Sequence, residues 1–407
     1  MLMLGHLLLL CAIIGLLSCT AFLVLLAAAF VRFKRRPRRP EISPSRWPSV
    51  SLLKPLHGLE PKLEENLESF FCQDYPRYEI VFGCRHENDL ALDVVHAVRR
   101  RHAEVPVRLV FSGEPGHPNA KVCSLEKMAA AATSDYLVVS DSDVRVTPEY
   151  LREVTRPLFQ PEVGMVTCLY RGVPSGGLWS RLEALGMSVE MTAGVVVADM
   201  LEGLKFALGP TMAIRRDTLE EAGGFRVLAD YCADDFVLGQ RVFEAGKLVV
   251  LSHYVVDHVA LHQRVMASLQ HQVRWMKSTR FSRPKGHIGT GLTFAMPFGL
   301  MGLAAGLALG DPLLGLALFL FAALNRMAEA LLAGWGVVKD PLARRYFWLY
   351  PARDLLGFFL WCASFASTSI VWRGERYELQ MGGKMVRTGS AGELARDSET
   401  VAVDELA

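Results

Sequence analysis

Residues 4–31 form an almost unbroken apolar run, followed at once by Arg32, Lys34, Arg35, Arg36, Arg38 and Arg39. About 20 apolar residues suffice to cross a bilayer as a helix, so this run is expected to be a membrane anchor. A cleaved signal peptide carries its positive charge before a shorter apolar run. Leu16-Leu17-Ser18-Cys19 faintly resembles a lipoprotein cleavage site, but the apolar run continues well past Cys19. Basic flanks stay cytoplasmic, so the amino terminus is expected outside and the chain from residue 32 onward in the cytosol, in a bacterial inner membrane.

Hydrophobic residues make up 51% of the 407, and the mean hydropathy of +0.24 is high for a soluble protein. A net charge of +2 excludes the concentrated basic face of a nucleic-acid binder. Eight cysteines are scattered without a CxxC pair. That usage fits buried thiols in a reduced compartment, not a disulfide framework.

The anchor (1–33) leads through a Pro- and Arg-rich linker to a polar domain expected over 48–283. There the pattern alternates. Strands are expected at 50–53, 78–84, 107–111 and 136–140, with helices at 61–72, 90–102 and 120–132 between them. Such alternation predicts an α/β fold with a mostly parallel sheet covered by helices. Further helices are expected at 185–200 (buried or interfacial), 217–225, 234–245 and 262–280, and a strand at 247–252.

Membrane helices are expected over 284–373 and a polar tail over 374–407. Segments 290–309, 313–333 and 354–372 each approach spanning length. Three crossings would leave Arg373, Arg376, Lys384 and Arg387 outside, against their preference. One segment is therefore expected to lie in the interface or re-enter.

Three acidic clusters then carry the chemistry. Ligands of such sheets bind beyond the carboxyl ends of the strands. Asp89 follows the second strand and Asp141-Ser142-Asp143 the fourth, so both fall on the binding edge. Two carboxylates two residues apart suit a hard divalent cation that also grips a diphosphate; the plainer reading is a turn capping a strand. Asp89 suits a nucleoside contact, or simply an N-cap. Lys121 opens a helix where it can meet phosphate, or lie solvated. Asp234-Asp235 precedes a helix; capping explains one acid, and Asp235 is read as the base that deprotonates a hydroxyl, with Asp234 its neighbour. Arg274 offers a forked donor to phosphate, and Trp275 a stacking face, or a core contact.

Two smaller groups were weighed. His253, Asp257, His258 and His262 invite a zinc reading, with His258 and His262 one turn apart on a potential helix; a local polar network is the simpler account. Arg326 and Glu329 lie three apart in an apolar segment, where they are expected to satisfy one another.

Glu60-Pro61 through Asp74-Tyr75-Pro76, Asp89, Asn119-Ala120-Lys121, Asp141-Ser142-Asp143, Ala233-Asp234-Asp235-Phe236, Arg274-Trp275 and Trp372-Arg373-Gly374-Glu375-Arg376-Tyr377 occur together in this order. The order resembles the ceramide glucosyltransferase group of family 2-like glycosyltransferases, from about 48 to 385. Bacterial hopanoid-associated glycosyltransferases belong to the same group. The resemblance implies a GT-A fold, an inverting mechanism, a UDP-sugar donor, Mg2+ or Mn2+, and a lipid acceptor. It implies Asp89 near the uridine, Asp141 and Asp143 at the metal, and Asp235 as base. His271 stands where the family has Gln or Arg, and Asn119-Ala120-Lys121 where it usually has Asn-Pro-Lys. Lys121, Asp141, Asp234, His271, Arg274 and Trp275 are thus expected at the substrates. Glucose onto ceramide, in glycolipid biosynthesis, and N-acetylglucosamine onto a hopanoid polyol are the two closest reactions. A processive polysaccharide synthase would need a larger membrane bundle. A scaffold or lipid transporter would not need the acidic clusters.

Overall fold

In the computed structural model, residues 2–36, 47–261, 264–372 and 374–390 are described. The β1 strand (Val50–Pro55) is buried along its whole length, as a strand covered on both faces must be. It pairs in parallel with β2 (Tyr78–Cys84) on one side and β4 (Tyr136–Val139) on the other, and β2 pairs in parallel with β3 (Val107–Phe111). Helices Leu63–Phe71, Ala91–Arg101 and Ala120–Ala131 make the crossovers. The expected alternation is therefore present, element by element, from residue 50 to 139.

Beyond β4 the sheet turns mixed. The β7 strand (Met212–Arg215) runs antiparallel to β4 and to β6 (Val163–Pro174), β8 (Leu248–Ala260) is parallel to β6, and β5 (Val144–Arg145) pairs antiparallel with β8. The order across the eight strands is β3-β2-β1-β4-β7-β6-β8-β5. The β8 strand runs well past residue 252, and His253, Asp257 and His258 lie on it. The helical placement of His258 is thus corrected; His262 lies outside the described residues.

Helix Leu2–Arg35 has 34 residues, about 50 Å at 1.5 Å per residue, longer than a hydrocarbon core of roughly 30 Å. Its last turns join the core of the α/β domain through Leu26, Ala29 and Phe33. Helices Ala295–Leu309 and Pro312–Glu329 form a hairpin against it. Gly310 takes a left-handed turn, and Asp311 caps the second helix by accepting from the Leu314 amide. The hairpin packs closely because Gly306 meets Gly315, where an added Cβ would come within 2.5 Å of backbone. Helices Leu2–Arg35, Gly177–Glu202 and Pro312–Val337 are long and apolar enough to cross a membrane. Gly177–Glu202, however, is largely buried inside the protein, which fits the expectation for 185–200.

The third C-terminal segment falls short of a span, and the first, Ala295–Leu309 with 15 residues, reaches spanning length only together with the bent helix Pro284–Thr290. Helix Tyr350–Ala363 has 14 residues, about 21 Å, too short to span. The chain then forms β9 (Ser369–Trp372), β10 (Glu375–Leu379) and β11 (Met385–Ser390), an antiparallel sheet of its own. This sheet is tied to the catalytic domain by Cys232 N–H donating to Gly383 O (3.1 Å) and Met385 N–H to Asp230 O (2.6 Å). Residues 375–379 and 385–390 of the expected tail are thus strands held against the loop at 230–232; residues 391–407 lie outside the described residues.

Candidate active site

The carboxyl ends of β1, β2 and β3 open onto a small cleft lined by Pro55, Leu56, His57, Arg85, Ser112 and Lys121. Lys121 is aimed by its helix. Asn119 caps that helix, its side-chain oxygen accepting from the Lys121 and Val122 amides as N-caps do. Its Nδ2 donates to Tyr231 O (2.9 Å), which ties the cap to the loop before Asp234.

From the cleft wall, Lys121 Nζ reaches Asp141 Oδ1 at 2.7 Å and Asp234 Oδ2 at 3.6 Å. Burial works against its charge, yet these two carboxylates hold the ammonium well above its usual range. Asp141, first of the triplet after β4, is also fixed through its backbone, whose carbonyl accepts from the buried Lys54 ammonium of β1. Burial pushes Lys54 down to about 7, against the raising pull of Asp141 and Asp143.

Asp235, the residue expected to act as base, begins helix Asp234–Glu244. Its Oδ2 accepts from the Gly209 amide at 2.6 Å and its Oδ1 from Phe236 N–H at 2.8 Å. Burial, and then the charge of Asp234, raise its carboxyl to about 6. A Cβ on Gly209 would lie 3.1 Å from Asp235 Oδ2 and 3.5 Å from Asp141 Oδ2. The β4 loop and the 234–235 cluster therefore share one wall, as the sequence expectation required.

Asp143 turns instead to β8, its Oδ2 3.0 Å from His258 Nε2. Burial disfavours the Asp143 carboxylate, but His258 and Lys54 hold it below its usual range; burial likewise opposes protonation of His258, and Asp143 overrides it. The far atoms, Asp143 Oδ1 and His258 Nδ1, are buried with no hydrogen-bond partner among the described residues, a combination that invites a ligand. No group of three or more His, Cys, Asp or Glu side chains that could hold a metal occurs among the described residues. One or two carboxylates completed by substrate phosphates is how Mg2+ is commonly held, and Asp141 and Asp143 fit that pattern with His258 beside them.

Helix Val265–Ser282 closes the far side. Trp275 lies between His271 (ring centroids 4.4 Å) and His258 (6.2 Å), and His271 Nδ1 meets Glu183 Oε1 at 2.9 Å. Arg274 is directed to the C-terminal sheet, its guanidinium 5.7 Å from the Trp372 ring. Asp89 has the capping geometry: it accepts from Ala91 N–H at 2.9 Å and from Gly58 N–H at 3.0 Å, pinning the loop after β1 beside the cleft. Its carboxylate is not among the lining groups.

His253 stacks on Phe33 (4.8 Å) and Asp257 pairs with Arg145 (3.1 Å), so with His258 at Asp143 the zinc reading gives way to separate polar contacts. Lys54, His57, Arg85, Gly209 and His258 are site residues the sequence reading missed. For Arg85 and His57 a signal existed: Arg85 directly follows β2 and His57 comes two residues after β1, both on the binding edge.

The chain matches the family model Glycosyl transferase family 21 over residues 9–385. It is similar to Ceramide glucosyltransferase 1 of Caenorhabditis elegans, 24% identical over 370 residues, covering 89% of this chain and 78% of that one. A shorter match, 35% identical over 119 residues, links 28% of this chain to 23% of the ceramide glucosyltransferase of Komagataella phaffii. Among solved structures, mannosyltransferase PcManGT from Pyrobaculum calidifontis aligns over 86% of this chain and 99% of its own, at 21% identity and a TM-score of 0.49. With its acidic loop after β4 on the carboxyl edge, the α/β domain is the GT-A architecture expected from the sequence, and the chain is a membrane glycosyltransferase belonging to glycosyl transferase family 21.

Proposed function

We propose that this enzyme moves one sugar, glucose in the first instance, from a UDP-sugar to the hydroxyl of a ceramide-type membrane lipid, with inversion. The observation that carries the reading is the convergence of Asp141, Asp234 and Asp235 around Lys121 and Gly209 at the mouth of the β1–β3 cleft. The family relatives named above as ceramide glucosyltransferases support the donor and acceptor.

In this reading the nucleoside lies in the cleft, and Lys121 faces the diphosphate at its mouth. A divalent cation held by Asp141 and Asp143 would neutralise the departing diphosphate. Asp235, raised toward neutral pH and anchored by the Gly209 amide, accepts the proton of the lipid hydroxyl. The hydroxyl oxygen bonds to the anomeric carbon as the carbon–oxygen bond to the diphosphate breaks, and UDP leaves with that electron pair. Trp275 and His271 flank the acceptor side. The catalytic domain packs at the end of helix Leu2–Arg35 that carries Arg32, Lys34 and Arg35, which supports a cytoplasmic active site.

Purified protein in lipid vesicles, given Mn2+, labelled UDP-glucose and ceramide, tests this directly. The expected product is a labelled neutral glycolipid and one UDP per sugar transferred. UDP release without lipid labelling, across ceramide and polyol lipids, would overturn it.

A further inference from the structure

A second polar site lies where helix Gly177–Glu202 meets the membrane hairpin. Its helix carries a stretch of π-helix at Met187–Met191, an insertion often found at functional sites. Glu190 sits in this bulge. Across from it, Arg353 of helix Tyr350–Ala363 donates from Nη2 to Glu190 Oε2 at 2.9 Å. The arginine is 4% exposed, and its Nε and Nη1, together with Glu190 Oε1, are buried without hydrogen-bond partners among the described residues.

That arrangement is costly for purely structural groups, because buried donors and acceptors are nearly always paired. Two glycines keep it in place. A Cβ on Gly186 would sit 2.3 Å from Arg353 Nε, and one on Gly357 would sit 3.5 Å from Glu190 Oε1.

Its position links the transfer site to the bilayer. Glu183, which holds His271, lies seven residues before Glu190 on the same run of helix, about 10 Å along its axis. Val189 touches the position of Gly334 in the last turns of the hairpin, so Glu190 sits at the catalytic end of the membrane helices. In the lipid-acceptor reading, a lipid presents its hydroxyl to Asp235 and sends its tails toward the membrane helices, the end at which Glu190 sits.

We propose that the unpaired Glu190 Oε1 and Arg353 Nε and Nη1 receive the polar linkage of the acceptor lipid, a neutral group that offers a donor beside an acceptor. Resting on the lipid-acceptor reading above, this assigns the residues that select the headgroup. A neutral group is favoured over a phosphate because the Arg353 guanidinium is already paired with the Glu190 carboxylate, which would repel an anion beside it, while an amide or hydroxyl satisfies both orphaned partners.

The test uses full-length protein in detergent with labelled UDP-glucose and short-chain ceramide. Glu190→Gln keeps the volume and a hydrogen bond to Arg353, and Arg353→Lys keeps the charge but loses the fork. Each is expected to raise the acceptor KM at least tenfold, while the affinity for UDP stays within twofold and certifies the fold. Wild-type turnover with an unchanged acceptor KM in both variants overturns this inference alone. A parallel loss of UDP affinity also overturns it, because it marks a structural role. Wild-type protein that labels neither ceramide nor a polyol lipid removes the acceptor reading and this inference with it.

Discussion

The Asp235 carboxylate accepts from the Gly209 amide at 2.6 Å, and the same glycine lies beside Asp141. One backbone position thus holds the proposed base against the Asp141 loop. Burial and the neighbouring Asp234 raise the Asp235 carboxyl to about 6, a value that suits the proton-accepting role proposed for it.

The acid limb of turnover is expected near pH 6. Burial and Asp234 raise Asp235 to about 6; below that pH the carboxyl is protonated and cannot take the hydroxyl proton. The rate should fall tenfold per pH unit on that side. Asp234→Asn removes the second raising cause, so the limb should move to lower pH. A pH profile of kcat for both proteins checks the direction; an upward shift would contradict the assignment.

Metal dependence is expected to run through Asp143 and His258. Excess EDTA should stop turnover, and Mn2+ should restore it. His258→Ala should raise the Mn2+ concentration for half-activation by roughly 10–100-fold, with Asp143→Asn at least as damaging. Full activity in EDTA would remove the cation from the account.

Lys121→Met removes the cation shared by Asp141 and Asp234. Breaking a buried pair on one side costs about 3–5 kcal/mol. A lower unfolding midpoint and at least a tenfold loss of UDP affinity by calorimetry are expected together.

Arg326→Met should destabilise the membrane hairpin by a similar amount, about 3–5 kcal/mol. Arg326 contacts Glu329, Asp354 (3.3 Å) and the Thr293 carbonyl (2.7 Å), so its loss strands two acids. Thermal inactivation in detergent reads the change.

The sequence made the parallel half of the sheet legible because each strand there is a short apolar run between helical patterns. Val50–Pro55 and Tyr136–Val139 are of this kind. The β8 strand was read too short. Its second half carries Asp257 and His258, whose partners are Arg145 and Arg171 on other strands and Asp143 in the loop after β4; local pattern cannot show charges satisfied across a sheet. The same distance hid His258 as a neighbour of Asp143. The C-terminal sheet left a signal that went unread: Gly382 and Gly383, both at positive φ, turn β10 into β11, the pattern of a tight hairpin. The Asp-Ser-Asp and Asp-Asp clusters were legible because capping explains one acid at the end of an element and leaves the second unexplained. Asp89 stands alone, and it accepts from the Ala91 and Gly58 amides as a capping residue does.

The most direct test of the central claim is Asp235→Asn, measured for both transfer and UDP binding. The side chain keeps its size and one oxygen for the Gly209 amide but loses the proton acceptor. Transfer to ceramide is predicted to fall by about 10²–10⁴ while UDP affinity stays within a factor of two. Near-normal turnover in this variant would contradict the assignment of Asp235 as the base.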